Sequence, residues 1–213
     1  MHRAKEEQVA GLTAELTSLR EFYKAYYPLN VWKYRLAYAW QSLGWDIDLI
    51  GLCDARGDFL STRNCLSVTL FKIMKLTFLL NRKYSPSYPK WLGKEFYKLP
   101  YLSNKIGPVL ESCYLDTDIK SVIGKLEAIC DLLIEYQNSH DELPEIDKKP
   151  CRWARGFWKI DLPHVADQIS ESISGPLRDI SFDGAIDQWV TNEDFMLESN
   201  KLKLLSVIYK RKE

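Results

Sequence analysis

Leu60–Phe96 reads LSTRNCLSVTLFKIMKLTFLLNRKYSPSYPKWLGKEF, and its first part decides the fold. From Thr62 to Tyr84 it holds no Gly or Pro, and apolar and basic residues alternate at helical spacing. Steps of about 100° around a helix put Asn64, Lys72, Lys75, Arg82 and Lys83 on one polar side. Leu66, Leu70, Phe71, Ile73, Met74, Phe78 and Leu80 fill most of the remaining circumference. A helix apolar over so much of its surface must be enclosed by others. Thr62–Lys83 is therefore expected to be the central helix of an all-α (mostly α) bundle. Arg63 and Asn81 fall on the apolar side, where an unpaired polar group costs roughly 1–3 kcal/mol. Two readings are open: both sit at helix ends and reach solvent or cap neighbouring chain, or both line a polar pocket.

Tyr84–Trp91 (YSPSYPKW) follows at once. Pro86 and Pro89 stop the helix and push Ser85 and Tyr88 toward extended geometry. The reading brings Arg82, Lys83 and Lys90 close to Tyr84, Tyr88 and Trp91. Such a corner can hold an anion or stack on a base, or it can be packing with lysine stems laid along it.

The 213 residues suffice for one domain, expected as a helical core over 1–145 with a C-terminal extension over 146–213 packed on the same bundle. Formal net charge is zero, which argues against general nucleic-acid binding because that needs a basic excess. The five cysteines are odd in number, scattered, and include no C-x-x-C, so reduced thiols are expected rather than a zinc site or a disulfide framework. Met1–Arg20 is charged throughout and no apolar run is long enough to span a bilayer, so a soluble, cytoplasmic protein with no membrane association is expected.

Residues 3–27 read as a helix whose seam is Val9, Leu12, Leu16, Leu19, Tyr23 and Tyr26; it either packs on its own domain or pairs as a short coiled coil. Asn30 is placed to cap the next helix, Val31–Leu43. Asp46-x-Asp48 has the spacing of a metal-binding carboxylate pair on a strand. The chain around it reads as helix, however, where the two side chains diverge by about 200°, so no metal role is expected. Short helices are expected over Trp91–Lys98 and Tyr101–Leu115, and a long one, capped by Asp118, to about Asn138. The 139–150 segment, SHDELPEIDKKP, reads as a surface linker. Cys151–Leu162 reads as extended, Pro163 starts a helix to about Ser174, and Glu198–Lys210 reads as a closing helix. The three histidines form no ligand pair, and no nucleophile motif or Gly-rich phosphate loop is present, so no catalytic residue is assigned.

Three ordered segments carry a family resemblance. TSLREFYKAYYPLNVWKYRLAYAW, NRKYSPSYPKWLGKEFYKLP and GAIDQWVTNEDFM resemble segments of DUF4037, a family of unknown function. The matching residues include Tyr27, Pro28, Trp32, Arg35, Arg82, Tyr84, Pro86, Lys90, Trp91, Gly93, Asp187 and Gln188. The resemblance implies a helical region that usually follows a nucleotidyltransferase domain. The partner would then be such a domain, in the same or a separate chain, together with a nucleotide or small-molecule acceptor. No cofactor is intrinsic to this reading; nucleotide and magnesium come only with that catalytic domain. Arg35, Arg63, Arg82, Tyr84, Lys90, Trp91, Asp187 and Gln188 are the candidate substrate-binding residues. The alternative is a structural or protein-interaction module with no small-molecule site.

Overall fold

A computed structural model describes residues 13–22, 24–147, 149, 152–154, 157–180, 183–190 and 192–209. Helix α1 covers 13–22, followed by α2 (Leu29–Asp54), α3 (Phe59–Leu80), α4 (Pro89–Phe96), α5 (Ser103–Leu115) and α6 (Ile119–Gln137). A hairpin of β1 (Arg152–Ala154) and β2 (Phe157–Lys159) pairs Trp153 with Trp158. It lies within the 151–162 segment that the sequence reads as extended. Helix α7 (Pro163–Glu171) and three short helices, α8 (Ile186–Trp189), α9 (Glu193–Leu197) and α10 (Ser199–Leu205), complete a mostly α architecture.

The hub is a pair of helices rather than α3 alone. Antiparallel α2 and α3 pack along their length; α2 also meets α6, α7, β2 and the 175–179 turn, while α3 meets α4, α5 and α6. Leu66, Leu70, Ile73, Leu76 and Leu80 of α3 are buried against Trp32, Leu36, Trp40, Leu43 and Ile47 of α2. Asp58 caps α3 by accepting from the Ser61 amide, 3.0 Å, so the helix starts at Phe59, three residues earlier than Thr62. Inside the core, Trp40 Nε1 donates to Gln137 Oε1 of α6 at 2.6 Å and Trp32 Nε1 to the Leu79 carbonyl at 2.8 Å.

Several expectations are corrected. Helix α2 does not stop at Leu43 but runs 26 residues, about 39 Å at 1.5 Å per residue. Its glycines seat neighbours instead of breaking it: a Cβ on Gly51 would lie 2.6 Å from the Phe157 ring, and one on Gly44 3.3 Å from Leu162 Cβ. Asn30 is not the cap, since Pro28 holds that position; its side chain donates to Ser174 Oγ at 3.1 Å and so ties α2 to the chain after α7. Asp46 and Asp48 do stand on a helix and diverge, Asp46 to Lys72 and Asp48 to Lys159, each at 2.5 Å. The 139–150 segment is not wholly surface, because Leu143 and Ile146 are buried. Of the first helix's seam, Val9, Leu12 and Tyr23 lie outside the described residues, as does Cys151. Leu16 is 61% exposed and Leu19 46%, so this part of the seam is not covered by the domain.

Asn81 and Arg63 follow the helix-end reading. Asn81 caps α3 and exchanges bonds with Tyr101, its Nδ2 donating to the carbonyl at 3.2 Å and its Oδ1 accepting from the amide at 3.1 Å. Arg63 donates to the Asp116 carbonyl at 2.6 Å, capping the end of α5.

Candidate functional site

The chain leaves α3 through a left-handed Arg82, φ 50°, with the Lys83 amide bonding back to the Phe78 carbonyl at 3.0 Å. This is a Schellman-type end, where glycine is usual because a Cβ strains that conformation. It directs Lys83 and Tyr84 back over α2. Tyr84 packs on Tyr26 and Tyr27, with ring centroids 5.0 and 5.1 Å apart. Beneath these rings lies a cavity of about 100 Å³. Tyr38, Arg35 and Ser42 of α2 and Lys72, Lys75 and Leu76 of α3 form its sides, and Lys83, Asp187 and Gln188 close it.

Arg35 is the anchor. It is 8% exposed, its guanidinium lies 4.4 Å from the Tyr27 ring centroid, and it donates twice to Asp187, at 2.7 and 2.6 Å. Burial opposes the charge on Asp187, but the hydrogen bonds and charge of Arg35 hold its carboxyl below the ordinary carboxylate value. Gln188 fixes this segment, donating to the Arg35 carbonyl and accepting from the Ala185 amide, both at 3.0 Å. Gly184 is required one turn earlier: its φ is 79°, and a Cβ there would lie 2.5 Å from the Tyr38 ring. Tyr209 donates to the Gly184 carbonyl at 2.7 Å.

The cations around the cavity differ in how they are compensated. Lys72 pairs with Asp46 and Arg35 with Asp187. Among the described residues, Lys75 and Lys83 form no ion pair. Lys75 is half-buried with its ammonium 4.8 Å from the Phe71 ring centroid; burial lowers its pKa, opposed by Asp187 and reinforced by Arg35. Two polar atoms of the wall, Tyr26 Oη and Arg35 Nε, are buried without a hydrogen-bond partner among the described residues. Burial and then the neighbouring Tyr27 push the Tyr26 phenol well above its ordinary value, so it stays a neutral donor. An aromatic-walled space with uncancelled ammonium groups and unused donors suits an anion.

The candidate residues expected from the sequence are therefore divided. Arg35, Tyr84, Asp187 and Gln188 meet at the cavity. Arg82 lines an adjoining open groove with Leu16, Leu19, Arg20 and Lys24, and its guanidinium stacks 4.2 Å from the Trp32 ring centroid and pairs with Glu142 at 2.7 Å. Lys90 and Trp91 line neither space: the Lys90 ammonium sits over the Tyr88 and Trp91 rings at 4.6 and 5.4 Å, on the surface. The extended segment between Tyr84 and Pro89 accounts for the separation, since extended residues advance roughly 3.3 Å each. Arg63 stands about 26 Å along the α3 axis from Leu80, at 1.5 Å per residue, and so at the far end of the helix from Arg82. Trp91 is 49% exposed and so is not core either. Tyr26, Tyr38, Lys72, Lys75 and Lys83 were absent from the candidate substrate-binding residues. The lysines shared one signal, their place on the polar side of the central helix, and Lys83 carried a second, its place in the corner beside Tyr84. No group of three or more His, Cys, Asp or Glu placed to hold a metal ion occurs among the described residues.

The α2–α3 hairpin and the turn after it, which build most of this cavity, also decide the comparison with known families. Residues 5–92 match DUF4037, a domain of unknown function. The DUF4037 resemblance read from the sequence is borne out over that stretch. The matched residues supply every wall of the cavity except Asp187 and Gln188, and the 184–196 segment lies beyond them. No curated protein and no solved structure gives a match.

Proposed function

We propose that this chain is a substrate-binding helical domain, without catalysis of its own, whose Arg35–Tyr84 cavity holds an anionic small molecule. A nucleotidyltransferase domain in the same or another chain carries the chemistry, and brings nucleotide and magnesium with it. The observation that carries the reading is the pair of lysines, Lys75 and Lys83, without an ion-pair partner among the described residues, in a cavity walled by tyrosines. Keeping a half-buried ammonium without a carboxylate partner costs stability, and a ligand that neutralises it recovers that cost. Cys53, Cys65, Cys113 and Cys130 are free thiols and no described helix is long and apolar enough to cross a membrane, which supports a cytoplasmic setting.

The test is thermal unfolding of the full chain against a panel of nucleotides and small anionic acceptors. Anionic members raise the midpoint, and Lys75→Met and Tyr84→Ala lose that rise. Arg63→Ala and Lys90→Ala keep it. A panel without a shift refutes the reading. The interaction-module alternative has one observation of its own: Phe22 on α1 is 67% exposed beside exposed Leu16 and Leu19. Loss of self-association or of catalytic-domain binding in a Leu16→Ser, Phe22→Ser variant, with ligand shifts intact, would assign that face to a partner.

A further inference from the structure

We propose that the cavity selects a dianionic phosphate monoester over carboxylates, sulfate esters and phosphodiesters. The proposal rests on the anion-binding reading above and narrows it to a ligand class.

The charges around the cavity give the argument. On α3, Lys72 is cancelled by Asp46 of α2, and on α2, Arg35 is cancelled by Asp187 of α8. Among the described residues Lys75 and Lys83 remain without an ion-pair partner, eight residues apart in the chain yet lining one space. Two uncancelled positive charges match the charge of about −1.5 to −2 on a monoester near pH 7. A carboxylate, sulfate ester or diester brings one negative charge to two ammonium groups, and of these the half-buried Lys75 is the one whose missing partner costs more than it would in water. The unpartnered Tyr26 Oη and Arg35 Nε, both donors, match the remaining lone pairs of a three-oxygen head. Tyr27 and Tyr84, which both line the cavity, supply aromatic wall for the body of the ester.

Titration separates this class from the others. Among the described residues no histidine lines the cavity, Asp187 is held below the ordinary carboxylate value, and Tyr26, Tyr27 and Tyr38 are raised above theirs. Burial lowers Lys75, against the pull of Asp187, and any charge it gains on acidification acts on every anion alike. Between pH 7.5 and 5 the ionisation that distinguishes the ligand classes is the monoester's own, near pH 6.

Calorimetric titration of the full chain with phenyl phosphate and phenyl sulfate makes the comparison. At pH 7.5 phenyl phosphate is expected to bind at least tenfold tighter. That margin shrinks about tenfold by pH 5, while phenyl sulfate binding stays level. Lys75→Met or Lys83→Met removes the margin, and Lys90→Met leaves it; Lys83 is exposed, so its variant keeps the test valid if Lys75→Met misfolds. Equal, pH-independent binding of the two probes overturns the monoester assignment and leaves an anion site standing. Failure of both to bind overturns the assignment and the reading beneath it.

Discussion

Asp187→Ala removes the only carboxylate, among the described residues, bonded to the Arg35 guanidinium, which is 8% exposed, and leaves that charge inside the fold. Breaking one side of a fully buried pair costs about 3–5 kcal/mol. The Asp187 side chain is 48% exposed, so water reaches the pair and the expected loss falls to about 2 kcal/mol. For a chain of this length that lowers the melting temperature by roughly 4–8 °C. The effect has a pH signature. A carboxyl whose folded pKa is depressed stabilises above its unfolded pKa of about 3.9, and that stabilisation is lost as pH falls through the folded value. Thermal unfolding followed by circular dichroism should therefore show a constant gap between wild type and variant from pH 7 to 5, closing below pH about 4. Arg35→Met added to Asp187→Ala should recover part of the loss. An unchanged midpoint at pH 7 refutes the reasoning and the docking of the 183–190 segment with it.

Gly184→Ala forces a Cβ into the Tyr38 ring at a left-handed position, and is expected to cost about 1–3 kcal/mol and to speed proteolytic cleavage within 183–209. Replacing Asp46 and Asp48 together by Asn should leave binding of magnesium unchanged in calorimetry. It should cost up to about 2 kcal/mol through the two lost lysine pairs, and a drop in metal affinity would overturn their separate roles.

The parts of the fold that were legible are those with local causes. Helix α6 shows an Asp118 cap and an unbroken apolar face from Val122 to Ile134, so its bounds could be read from spacing alone. The length of α2 could not. Gly44 and Gly51 look like punctuation until Leu162 and Phe157, more than 100 residues later, are seen to press against them. The site divides in the same way. Arg35, Asp187 and Gln188 came from the family resemblance, while Tyr84 was also legible as part of the corner that follows α3. Lys72 and Lys75 were visible only as a polar stripe, because nothing local distinguishes a solvated lysine from one roofed by Tyr26 and Tyr84. Lys90 and Trp91 were drawn in by nearness in sequence, which two prolines and an extended segment undo.

The α2–α3 hairpin closes through a four-residue connection, whereas Arg35 and Asp187 meet across 152 positions and Asn30 and Ser174 across 144. Local pairings form early in folding and distant ones late, since each distant one first closes a long loop. The hairpin is then the natural nucleus, and the cavity receives its last wall only when the 183–190 segment docks on α2. A molecule held there touches a contact absent from the folding transition state. It should slow the opening of that segment and leave the folding rate almost unchanged, so occupancy is written in how long the closed form lasts.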